Sequence, residues 1–260
     1  MSLKLSTCLR NTILSTQPMA QAMDNCVLKL YTGSQPATAD AAPTGTLLCT
    51  YSASSGAITR EVLAVGTITL AGTSGSANTL TLNSVEIMGA VVNSTGAVNS
   101  TATAVATQIN NNPKNTYVVA STTGSSGVIT LTAKPGYGAL MNTWVLAGTG
   151  TTITLTQTTA MTGGVTALNC LQWTIPAAAG VLSALASQTW SGVAGNTGTA
   201  GWARFEGSVS DSGALDSTFV WPRMDCAVST SGAELNLSST TITSGATQTI
   251  TSFQITLPTA

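Results

Sequence analysis

Short-range alternation of apolar and polar residues is the feature that most constrains this chain. Cys26, Leu28 and Leu30 alternate with Val27, Lys29 and Tyr31. Ala203 and Phe205 alternate with Trp202, Arg204 and Glu206, and Phe253, Ile255 and Leu257 alternate with Ser252, Gln254 and Thr256. A period of two is that of a strand with one face buried. The runs are short and end in turn residues such as Gly33-Ser34-Gln35-Pro36, Ser231-Gly232 and Ser244-Gly245. Helical patterns are few. Ser6 is placed to cap a helix from Thr7 to about Leu14 with Leu9, Ile13 and Leu14 on its apolar side, and Pro18 opens a short turn from Met19 to Met23. Ser100 to Asn111 carries the stripe Ala102, Val105, Ala106 and Ile109, with Ser100 or Thr101 as cap and Pro113 as stop.

Further strands are expected at 46–52, 67–71, 79–88, 116–122, 127–133, 144–147, 151–159, 170–175, 222–229 and 240–243. The stretch 180–190 fits either a short helix or an extended run. Gly192 to Gly201 reads as a flexible turn, and a loop through Asp211 and Asp216 leads to Phe219-Val220-Trp221. From about Glu61 to Thr166 the chain loses most of its charge and gains Gly, Thr and Asn. The order there, β-β-α-β-β and then β-β, is that of a small α+β unit. The expected protein is mainly β. Residues 1–63 and 167–260 form a discontinuous β-sandwich or jelly-roll-like frame, and residues 64–166 form an α+β module inserted between its second and third strands.

Chemistry is scarce. The 260 residues include 8 basic, 9 acidic and no histidine, and charged residues make up 7%, against about a quarter in an ordinary globular protein. The cations are scattered, so no patch tracks a phosphate backbone and no nucleic-acid partner is expected. No run reaches the ~20 apolar residues of a membrane helix, and the first residues lack a secretory pattern, so no membrane association is expected. Without histidine, Ser–His and Cys–His pairs are excluded, and no SxxK stands in for them. Asp211 and Asp216, with Glu206 and Asp225 nearby in sequence, are the carboxylates to weigh for glycoside cleavage or calcium, but DSGALD reads better as turn and loop. No GxGxxG joins a strand to a helix. Cys8, Cys26, Cys49, Cys170 and Cys226 form no CxxC pair and read as free, mostly buried thiols made in a reducing cytosol. The expectation is a non-enzymatic protein without cofactor or metal, its neutral surface suited to a large assembly. Trp173 and Trp190 read as core, and Trp202 and Trp221 as either core or interface. The interface candidates are Leu9, Arg10, Tyr31, Trp202, Arg204, Trp221 and Arg223.

Two resemblances add to this. The middle module, with its helix TATAVATQINNN, strands YVVAS and GVITLTAK, and exit MTGGV at Met161–Val165, resembles a domain that recurs in bacteriophage structural proteins, tail sheath proteins among them. The frame carries Lys4-Leu5-Ser6 to Leu9-Arg10-Asn11, the strand-turn Leu28 to Ala37, Gly198 to Arg204, and the closing block Glu234 to Phe253. Joined end to end, these elements resemble the capsid cement or decoration proteins of tailed phages, with K-L-S and L-N-L-S-S as the specific blocks. The resemblance implies a protein on the outer surface of a phage capsid, made in the host bacterial cytoplasm. Its implied partners are the major capsid protein and further copies of itself, as dimer or trimer. A tail or neck component, and a receptor- or carbohydrate-binding virion protein acting through the inserted module, are the alternatives.

Overall fold

The computed structural model describes residues 3–15, 17–124, 126–218 and 220–256. Leu257 and Phe219, both part of the sequence expectations, lie outside them. The chain is mainly β with antiparallel sheets. It divides into two compact units, residues 1–60 with 167–260 and residues 61–166. The second unit starts where the composition shifts, three residues before the expected module start at 64, for a chemical reason. Arg60 donates to Glu206 and to the Gly207 carbonyl at 2.5 and 2.6 Å inside the frame. Glu61 accepts the Gly136 and Gly138 N–H groups inside the module.

The frame begins with β1 (Lys4–Leu5), α1 (Thr7–Ser15), α2 (Met19–Ala22), β2 (Val27–Thr32) and β3 (Leu47–Ala53). Ser6 caps α1 as the sequence indicates: its Oγ accepts the Leu9 N–H at 3.2 Å. The same oxygen accepts the Arg223 N–H at 3.0 Å and donates to the Trp221 carbonyl at 3.0 Å. One donor and two acceptor sites are thus all used, which suits a serine that is fully buried.

The module contains β4 (Val65–Ala71), β5 (Ser76–Leu82), β6 (Val85–Glu86), β7 (Val92–Asn93), α3 (Val98–Asn111), β8 (Val118–Thr122), β9 (Val128–Ala133), β10 (Leu146–Thr151) and β11 (Thr154–Thr162). One sheet runs β11-β4-β9-β8; another runs β10-β5-β6, with β7 also on β5. The α3 stripe, Val105 and Ile109 among it, packs with Ile68, Leu70, Ile129 and Leu131. The expected strand 79–88 is instead a hairpin. Asn83 and Ser84 turn it with φ of 47° and 69°, the left-handed pair of a type I′ turn, here without the glycine that would have announced it. Helix α3 starts at Val98 with Ala97 at its N-cap, so neither Ser100 nor Thr101 caps it. Thr101 Oγ1 donates back to the Ala97 carbonyl at 2.9 Å.

Edge strand β8 is closed by side chains. Asn110 donates to the Ala120 carbonyl and accepts the Ala120 N–H, both at 2.8 Å. Asn115 donates to the Val118 carbonyl at 2.9 Å and accepts the Val118 N–H at 3.2 Å. Two asparagine amides therefore occupy the backbone groups that a further strand would use.

The frame resumes with β12 (Val181–Ser183), β13 (Trp190–Val193), β14 (Gly198–Glu206), β15 (Arg223–Ser229), β16 (Leu235–Asn236), β17 (Thr241–Ile242), β18 (Thr247–Ile250) and β19 (Gln254–Thr256). Its main sheet has the order β1-β15-β14-β2-β3-β13-β18, with β16 beside β15 and β17 beside β14, while β12 and β19 pair separately. This arrangement is compatible with a sandwich or jelly roll. The expected strand 170–175 is not formed; Leu171 and Trp173 make single bridges to Cys26 and Ala184. Residues 192–201 are largely strand rather than turn. A Cβ on Gly192 would lie 2.1 Å from the Thr50 carbonyl oxygen, and one on Gly201 2.0 Å from that of Gly33, so these glycines mark close backbone approach.

Candidate interface on the frame

Strand β14 shows its two faces as the alternation indicates. Ala203 and Phe205 join the apolar core with Leu28, Leu30, Met224 and Cys226. Trp173, Trp190 and Phe253 complete an aromatic cluster there, with Trp173 and Trp190 rings edge to face at 5.3 Å. The opposite face carries Trp202, Arg204 and Glu206, and it too is buried.

That second face is an ionic layer. Arg204 sits in register between Lys29 of β2 and Asp225 of β15. Its guanidinium makes a bidentate pair with Asp225 at 2.7 and 2.8 Å and donates to the Ala41 carbonyl at 2.9 Å. Arg223 pairs with Asp211, both contacts 2.6 Å, and donates to the carbonyls of Asp40 and Ala214. Glu206 holds Lys29 at 2.7 Å and Arg60 at 2.5 Å. Trp202 stacks on Tyr31 with centroids 4.6 Å apart and donates to the Thr44 carbonyl at 3.3 Å. The two arginines thus satisfy the carbonyls of Asp40, Ala41 and Ala214, and Trp202 that of Thr44, which ties segments 40–44 and 211–216 to the face.

The interface expectation must therefore be corrected for five residues. Leu9, Tyr31, Trp202, Arg204 and Arg223 are buried within the frame, and a side chain sealed under its own chain offers nothing to a partner. Arg10 is exposed, and Trp221 is half-buried under the Arg223 guanidinium at 5.0 Å. The carboxylates weighed for chemistry are engaged as well. Asp216 accepts the Val220 and Trp221 N–H groups at 3.1 and 2.8 Å, and Asp211, Glu206 and Asp225 hold the cations named above. Burial raises the Cys26 and Cys226 thiols well above their ordinary value, which keeps them protonated and poor nucleophiles. All five cysteines are free.

Burial also pushes the Asp211 carboxyl up, but hydrogen bonds from Arg223 and Gly213, with the Arg223 charge, outweigh it and hold the group below its ordinary value. A depressed folded-state pKa adds stability above the unfolded value, about pH 4, and loses it as pH falls through the folded value. Asp211→Asn is expected to lower the urea midpoint at about pH 7 and to approach wild type at about pH 3. An equal deficit at both would show that packing, not charge, is what the variant removes.

One accessible groove of the frame is apolar. A groove of about 400 Å³ lies between α1 and α2 on one side and β12 and β19 on the other. Leu5, Ile13, Met19, Leu182 and Ile255 line it, with Ala177 exposed beside them, and no lining side chain is polar. Nearby in sequence, Leu14 is 85% exposed and Ile175 60%; Leu14 therefore leaves the apolar side of α1 that Leu9 and Ile13 share. The alternation of Ile255 and the α1 stripe were the sequence signals for these walls, but neither announced a gap between them. Among the described residues no helix is long and apolar enough to cross a membrane. No family model matches the chain, and no curated protein or solved structure matches it.

Proposed function

We propose that this protein is a non-enzymatic structural component of a tailed-phage particle, bound to the outside of the capsid and holding neighbouring copies of the major capsid protein together. The observation that carries the reading is the groove between α1, α2, β12 and β19. It offers aliphatic surface and no group able to move a proton or hold a cofactor, so it suits the apolar side chains of another protein. The resemblance of Lys4 to Asn11 and Glu234 to Phe253 to capsid cement proteins supports the same reading. So does a chain with 8 basic and 9 acidic residues in 260, whose solubility does not depend on a highly charged free surface. The mechanism is added buried area between subunits, which stabilises the assembled shell by mass action.

Thermal rupture of phage heads with and without the protein tests this. The protein is expected to raise the rupture temperature, and Ala177→Asp, a charge at an exposed groove position, to abolish the rise while leaving the protein's own melting temperature nearly unchanged. No rise with wild type, or labelled protein found on tails, would replace the capsid reading with the tail or neck alternative.

A further inference from the structure

The frame has six basic side chains, Lys4, Arg10, Lys29, Arg60, Arg204 and Arg223. Four have carboxylate partners: Lys29 and Arg60 share Glu206, Arg204 has Asp225, and Arg223 has Asp211. The other two, Lys4 and Arg10, line one pocket of about 280 Å³ with Asp40 and the segment before it. Asp40 is already engaged, its two oxygens accepting the Thr7 N–H and hydroxyl, both at 2.8 Å. Arg10 Nη2 donates to the same Thr7 hydroxyl at 2.9 Å, and Lys4 Nζ donates to the Pro36 carbonyl at 2.5 Å. Asp225 is the register partner of Lys4, but Arg204 holds it. Two cations are thus fixed around one cavity by neutral acceptors, and among the described residues neither lies within ion-pair distance of a carboxylate.

We propose that this pocket receives a carboxylate side chain presented by the partner protein. Two cations against one acid leave a single positive charge, which one carboxylate neutralises. A phosphate, with a charge between about −1.5 and −2, would leave excess negative charge facing Asp40. Two cations without a continuing stripe do not follow a nucleic-acid backbone. The Thr7 hydroxyl already orients the Arg10 guanidinium, so little freedom is lost when an acid binds. The source of the carboxylate rests on the capsid reading above; the charge chemistry of the pocket does not.

The full chain, labelled with nitrogen-15, is titrated with a blocked glutamate tripeptide and, separately, with inorganic phosphate at matched ionic strength. The peptide is expected to shift the amide signals of Thr7–Arg10 and Ala37–Asp40 saturably, and more tightly than phosphate. Arg10→Gln and Lys4→Gln should each weaken it about tenfold, with melting temperatures checked to show that both variants fold. Tighter binding of phosphate would overturn the carboxylate assignment. Absence of saturable shifts, or shifts insensitive to both substitutions, would overturn the site. Either failure leaves the head-rupture result standing, and a negative head result leaves the titration standing.

Discussion

Arg204→Ala is expected to cost the frame about 3–5 kcal/mol, the range found when one partner of a buried ion pair is removed. Both Arg204 and Asp225 side chains are fully buried. Without the guanidinium, the Asp225 carboxylate would sit under the 40–44 segment without its paired counter-charge, and the Ala41 carbonyl would keep only the longer 3.4 Å contact from Arg223. Burial already holds the Asp225 carboxyl above its ordinary value even with Arg204 and its charge opposing. In the variant the group is expected to rise further and take up a proton. A raised folded-state pKa favours the folded state at low pH and ceases to do so as pH climbs through it. The deficit of Arg204→Ala should therefore shrink as pH is lowered toward about 5. The double variant Arg204→Met with Asp225→Leu removes both charges and should recover more than half of the loss. Urea unfolding of the three variants gives the full cycle. A single-variant loss below about 1 kcal/mol, the worth of an exposed pair, would show that this face is wetter than its burial indicates.

Asn115→Ala carries the second large effect, in the module. The Asn115 amide donates to the Ile109 and Val118 carbonyls at 3.0 and 2.9 Å and accepts the Tyr117 and Val118 N–H groups at 3.3 and 3.2 Å. Truncation leaves the Val118 carbonyl and the Tyr117 and Val118 N–H groups seeking partners, at about 1–3 kcal/mol for each that stays buried, while the Ile109 carbonyl keeps the Asn112 N–H. It also opens half the edge of β8, and Asn110→Ala opens the rest. An uncharged, Val- and Thr-bearing edge is a template for pairing. The double variant is expected to associate in light scattering coupled to size exclusion under conditions where wild type does not. Asn115→Asp, which keeps the acceptor but loses the donor, should fall between wild type and alanine in stability. A double variant with unchanged mass and unchanged melting temperature would show that water replaces both amides at no cost.

Much of the frame's layering is legible in local sequence pattern. Alternation places Ala203 and Phe205 opposite Trp202, Arg204 and Glu206, and the two faces are as described. The cap at Ser6, the α3 stripe and the core positions of Trp173 and Trp190 follow from local pattern in the same way. Glycines mislead the reading of 192–201, because a glycine that permits close strand approach and one that permits a turn are the same letter. The turn at Asn83-Ser84 escapes for the opposite reason, its left-handed residues not being glycine.

The sequence by itself determined a mainly-β chain with little charge, no histidine and a sheet whose strands each have two distinct faces. It did not determine what lies over those faces. Period two says which side chains share a side, because that depends only on the geometry of one strand. Whether that side meets solvent depends on segments distant in sequence, here 40–44 and 211–216, whose carbonyls are drawn in by Arg204 and Arg223. Only the tertiary structure therefore buried five expected interface residues, Leu9 in the apolar core and Tyr31, Trp202, Arg204 and Arg223 in or beside the ionic layer, and left the groove beside α1 and the pair Lys4 and Arg10 accessible.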